Sequence, residues 1–174
     1  MNFSLEKSIQ ILERTPEVLY LMLSNLSDDW TTKNEGDGTW SVYDIIGHLI
    51  HGEKTDWMPR AEIILSENAD KDFQPFDRFA QFEESKGQSL PQLLEEFKDL
   101  RKKNIDQLRS KKVTEPKFAL TGIHPAFGEV TLSQLLSTWV VHDLNHIAQI
   151  SRVMAKQYKT AVGPWVEYLG ILKQ

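Results

Sequence analysis

The stretch TLSQLLSTWVVHDLNHIAQISRVMAKQ, residues 131 to 157, puts two imidazoles where an amphipathic helix carries apolar side chains. At helical spacing Leu135, Trp139, His142, His146, Ile150 and Val153 share one stripe, the face that a soluble helix turns inward. A buried polar group without a partner costs roughly 1 to 3 kcal/mol, so both rings need something to bind. Residues four apart on a helix have Cβ atoms about 5 to 6 Å apart, which lets two ring nitrogens meet one ion at roughly 2.0 to 2.1 Å. Two readings follow from the residues alone. The pair is either a pair of core histidines satisfied by carboxylates or carbonyls, or part of a metal site completed elsewhere.

The candidate third ligand is His48, in WSVYDIIGHLIHGE. Ser41 and Asp44 form a Ser-x-x-Asp variant of the capping box, which predicts a helix from Val42. His48 then follows Ile45 and precedes Gly52 on one face, next to a residue small enough to leave room. Asp44, one turn back, is expected to bond the His48 ring, either as the partner of a plain core histidine or as the acceptor behind a ligand. His51 is expected to face solvent or to back the site without entering it, and His124, before a proline in a loop, to be structural.

These segments resemble the DinB/YfiT-like helical bundles, a superfamily described as metalloenzymes. The resemblance is carried by WSVYDIIGHL (40–49), HPAFGEVTLSQLL (124–136), HDLNHIAQISR (142–152) and the Thr15-Pro16 step. It implies that His48, His142 and His146 bind a divalent metal, nickel or zinc, with positions left open for water or substrate. It also implies a small-molecule substrate, a transferase or hydrolase activity, and pairing into a homodimer. The favoured reading by resemblance is a thiol S-transferase of the bacillithiol type, with a low-molecular-weight thiol as co-substrate. A non-catalytic metal- or ligand-binding stress-response protein is the alternative.

A chain of 174 residues suits one domain, taken here as residues 1–174. Cysteine is absent, so a metal would be held by nitrogen and oxygen, and any thiol would come from outside the chain. The net charge of −5 and the lack of a clustered basic run speak against nucleic acid. No apolar run reaches the ~18 residues of a membrane span and no signal-peptide block is seen, which makes the cytoplasm the expected compartment.

The periodicity predicts an all-α fold, a four-helix bundle with long crossover connections and a short C-terminal helix. The first helix covers residues 4 to 26 and is expected to kink or restart at Thr15-Pro16. The second runs from Val42 to about Ser66 with a kink at Pro59, Trp40 packing beneath its start as a hydrophobic staple. Residues 67 to 88 read as an irregular crossover whose Phe73, Phe76, Phe79 and Phe82 pack across the bundle. The third helix runs from Ser89 to Ser110, the fourth starts at a Thr131-Gln134 capping box, and a closing helix spans Trp165 to Leu172. Two long connections make simple up-down-up-down wiring doubtful, and no strand series is expected.

HDLNH also invites comparison with the His-Glu-x-x-His helix of zinc proteases, with Glu167 as a distant third ligand. That reading is set aside because Asp143 replaces the glutamate. Asp143 projects about 100° from His142 and is expected to anchor a neighbouring helix. Trp57 and Trp139 are assigned to core or pocket wall.

Overall fold

Four long helical segments form the frame of the computed structural model, which describes residues 2–173; residues 1 and 174 lie outside it. They are α1 (Leu5–Leu23), the pair α3 (Val42–Thr55) and α4 (Trp57–Leu65), α6 (Leu90–Ser110) and α7 (Leu132–Lys156), with short helices α2 (Asp28–Thr31) and α5 (Ala80–Glu84) in the connections. Around the bundle α3 packs on α6, α6 on α1, α1 on α7, and α7 back on α3. The first two long helices of the chain, α1 and α3, therefore sit diagonally. The long connections at 24–41 and 111–131 make that wiring feasible, as a two-residue turn would not.

Three helix starts follow the local chemistry expected of them. Ser41, Ser89 and Thr131 each cap a helix, with Asp44, Gln92 and Gln134 closing the reciprocal bond to the cap backbone. The interruptions differ from expectation. Helix α1 continues through Pro16, and Thr15 caps nothing; its hydroxyl donates to the Ile11 carbonyl at 3.2 Å. Proline has no N–H for the Leu12 carbonyl four residues back, and that carbonyl instead accepts from Arg101 Nη1 at 2.8 Å. A buried cation thus replaces the missing backbone bond. In the second segment the break falls at Asp56 (φ −108°, ψ −70°), and Pro59 sits in the first turn of α4, where its lack of a donor is tolerated.

The crossover regions are more ordered than their composition suggests. A hairpin of β1 (Thr121–His124) and β2 (Gly128–Thr131) pairs antiparallel, Thr121 opposite Thr131 and His124 opposite Gly128. The Asp72 segment joins it in parallel: Ile123 N–H donates to the Lys71 carbonyl and Phe73 N–H to the Ile123 carbonyl, both at 2.9 Å. A Cβ on Gly122 would lie 2.4 Å from the Phe73 ring, so this glycine lets the ring pass under the hairpin. Of the four phenylalanines expected to cross the bundle, Phe73 is buried and Phe76 half-buried, while Phe79 and Phe82 are exposed. The closing segment is two 3-10 turns, Gly163–Tyr168 and Gly170–Leu172, with Leu172 buried. No helix among the described residues is long and apolar enough to cross a membrane.

The core has two apolar halves, one around Leu12, Trp57, Ile105 and Trp139, the other around Leu19, Ile45, Leu49, Phe97 and Ile150. Between them lies a polar layer centred on Arg101. Its guanidinium donates to Glu53 Oε1 (Nε 3.1 Å, Nη2 2.8 Å), to both Asp143 oxygens (2.6 and 2.9 Å) and to the Leu12 carbonyl. Glu53 also accepts from Trp139 Nε1 at 3.0 Å and Asn104 Nδ2 at 2.8 to 2.9 Å, the latter shared with its own carbonyl. Burial pushes the Glu53 carboxyl up and the Arg101 and Asn104 contacts pull it down. Every side-chain contact it makes comes from a donor, which holds it as a carboxylate. Asp143 anchors α7 to α6 through this layer, as expected of it.

Candidate metal centre

Next to the polar layer a cavity of about 1030 Å³ opens between α3, α4, α7 and the hairpin, lined by His48, His142 and His146 among others. His48 enters it from α3, His142 and His146 from α7. Their nitrogens gather within 4.8 Å of one another. His142 Nε2 is 3.1 Å from His48 Nε2 and 3.1 Å from His146 Nε2. Ligands about 2.0 to 2.1 Å from one ion stand roughly 3.0 to 3.4 Å apart, so this spacing suits a shared cation. The rings cannot satisfy one another instead, because His142 Nε2 has either one proton or one lone pair to offer two neighbours.

Each ring is set by its surroundings. His146 Nδ1 lies 2.7 Å from Gln149 Oε1, an acceptor, which places the ring proton on Nδ1 and leaves the Nε2 lone pair facing the cluster. Trp40 packs on His48 with centroids 4.8 Å apart, Phe76 meets His48 edge-on at 5.5 Å, and Trp57 meets His142 at 5.0 Å. Trp40 is thus a wall of the cavity as well as packed against the core cluster at the start of α3. The room left by Gly52 is taken by Trp57, whose Nε1 would be 3.2 Å from an added Cβ.

Of the other expectations, some need correction and some hold. Asp44 is spent on the helix start, its Oδ2 accepting from Ser41 N–H at 2.9 Å and Ser41 Oγ at 2.7 Å, and it does not back His48. The Nδ1 atoms of His48 and His142 are buried without a hydrogen bond among the described residues. His51 is buried, not solvent-facing, and turns to Glu84 Oε1 at 3.0 Å. His124 stays outside the cluster, stacked on Phe127 at 4.4 Å and accepting from Ala126 N–H. Glu167 is exposed and paired with Lys173. Trp139 is core and Trp57 wall.

Burial pushes all three rings down. His48 falls to about 3, with the His146, His51 and Arg78 charges adding, and His142 to about 2, with His146, His48 and Arg101 adding. Burial also lowers His146, opposed by Gln149 and Asp143. The unfolded chain protonates its histidines near about 6.5, so between that value and the folded ones it binds more protons than the native state. Stability of the metal-free protein should therefore fall as pH drops from about 6.5 toward 4. Urea midpoints at pH 7.5 and 5 test this, and His142→Gln should flatten the slope; equal slopes in both proteins would mean that the ring is not held neutral by burial.

Fold and site together define a class: helical bundles whose cavity floor carries inward-facing histidines able to hold a metal. The chain belongs to the DinB superfamily, whose family model matches residues 11–150. It is similar in structure to YfiT from Bacillus subtilis, described as a probable metal-dependent hydrolase with an unusual four-helix-bundle topology; identity is 24%, 90% of each chain is covered and the TM-score is 0.75. It is also similar to TT2238, a four-helix bundle protein, at 17% identity over 85% of this chain and 98% of that one, with a TM-score of 0.57. No curated protein matches.

Proposed function

We propose that His48, His142 and His146 bind a divalent cation, nickel or zinc, and that the cavity above them is the active site of a metal-dependent transferase using a small thiol. The observation that carries the metal reading is the convergence of three Nε2 atoms from two helices on one point open to the cavity. Three protein ligands with space beyond them suit a catalytic site better than a structural one, which has four. A cation so held supplies Lewis acidity, acidifying a bound thiol or water or polarising a carbonyl.

The chain's own residues supply the rest. Gln149 fixes the His146 tautomer, and Trp40, Trp57 and Phe76 pack against the rings and exclude water from their flanks. The buried layer beneath carries one net negative charge, from Glu53 and Asp143 against Arg101, and so favours a cation above it. The thiol reading comes from the sequence resemblance. A hydrolase reading is favoured by the likeness to YfiT.

Elemental analysis of protein purified without a histidine tag tests the metal. Cobalt-loaded protein titrated with bacillithiol then separates the chemistries. Charge-transfer absorption that saturates with thiol is expected; ester hydrolysis without thiol and no such absorption would replace the transferase with the hydrolase.

A further inference from the structure

The charges that line the cavity do not balance. Two carboxylates, Glu35 and Asp56, face it beside three guanidinium groups, Arg60, Arg78 and Arg152. Both carboxylates are engaged. Glu35 takes a two-pronged contact from Arg152 at 2.8 and 2.9 Å and a further one from Lys156 at 2.9 Å, and these cations, Arg152 first, hold its carboxyl down at about 2. Asp56 is paired with Arg60 at 2.6 Å, and Arg60 also donates to the Gln74 carbonyl.

Arg78 differs from both. It is exposed at the cavity, in the turn before α5, and makes no hydrogen bond or ion pair to any described residue. Asp77, the next residue back, turns Oδ1 to the Phe79 N–H at 2.9 Å and forms no ion pair with Arg78. Its charge nonetheless reaches His48. Three neutral imidazoles also leave a bound divalent ion with its full charge, of which the buried layer offsets only one unit. The same cavity is lined by Trp40, Trp57, Phe76 and the hairpin-tip Phe127, the last 78% exposed. An unpaired guanidinium, an under-neutralised cation and aromatic walls lining one cavity suit an organic anion with an apolar body.

We infer that Arg78 binds the carboxylate of an apolar-bodied organic anion whose other end lies over the three imidazoles, making it a specificity-determining residue of this site. The inference rests on the metal reading above. A planar guanidinium grips a carboxylate through two parallel N–H···O bonds, so lysine replaces it only in part.

The test is calorimetric titration of zinc-loaded protein with 3-phenylpropanoate and with its neutral analogue 3-phenylpropanol, zinc content being measured in the same samples. Arg78→Gln should weaken phenylpropanoate binding by about 10-fold and leave phenylpropanol unchanged, with Arg78→Lys between. Because Arg78 is exposed and unpartnered, these variants should fold normally, and an unchanged urea midpoint checks that. Equal phenylpropanoate affinity in wild type and Arg78→Gln, or no measurable binding to wild type, overturns the inference while the metal reading stands. Failure of zinc to bind overturns the metal reading and the inference with it.

Discussion

Arg101→Met is expected to destabilise the protein by about 3 to 5 kcal/mol, because it leaves two carboxylates buried without their cation. Arg101 spends all its donor positions in the core, on Glu53, Asp143 and the Leu12 carbonyl that Pro16 cannot serve. Its removal leaves Asp143 and the Leu12 carbonyl without their donor and Glu53 with only Trp139 and Asn104, while both carboxylates stay fully desolvated. The cost should depend on pH in a diagnostic direction. Without Arg101 two desolvated carboxylates face no cation, so taking up protons favours the native state and stability falls as pH rises. The deficit should therefore be larger at pH 8 than at pH 5. Adding Glu53→Gln and Asp143→Asn should recover most of it, since the amides keep an acceptor for Trp139 and Asn104 without the charge. Urea denaturation at the two pH values reads all of this. A deficit below about 1 kcal/mol, or no recovery in the triple variant, would show that the layer is not held by charge.

That layer is less legible in the sequence than the histidines are. The histidines stood out because polar rings interrupted an apolar stripe, and the same anomaly was present in α6, where Leu94, Phe97, Arg101, Ile105 and Leu108 follow helical spacing. A buried arginine needs carboxylates facing it; Asp143 is the one expected at a neighbouring helix, while Glu53, among the turns around His48 and His51, carries no signal of its own. Nor did local rules place the breaks. Pro16 looked like a kink because the chain alone cannot show that Arg101, distant in sequence, satisfies the carbonyl left free. Asp44 was assigned two roles, and the cap took it, because a backbone N–H at a helix start is fixed in place while a ring one turn away is not. The hairpin is not legible in the sequence because TGIH and GEVT are too short to alternate visibly and gain their order from the Asp72–Phe73 strap. Helix starts at Val42, Leu90 and Leu132, by contrast, depend on three or four adjacent residues and were fully legible.

His48→Ala and His146→Ala should each lower zinc or nickel affinity by roughly 100-fold or more, since even the groups behind a ligand are worth 10- to 100-fold. Losses of similar size from α3 and α7 are the signature of one shared ion, because independent sites would respond separately. His51→Ala should leave affinity unchanged, as that ring is turned to Glu84. Gln149→Ala should cost about 10-fold, by freeing His146 to place its proton on the nitrogen that faces the cluster. Competition titration with a metallochromic chelator gives the affinities, and far-UV circular dichroism of the same samples gives the helix content. An open site on a preformed bundle loses metal with its helicity intact, because the two apolar halves and the Arg101 layer hold α3 against α7 without it. Unfolding on metal removal would instead assign the ion a structural role, and a His48→Ala protein that binds as tightly as wild type would remove α3 from the site altogether.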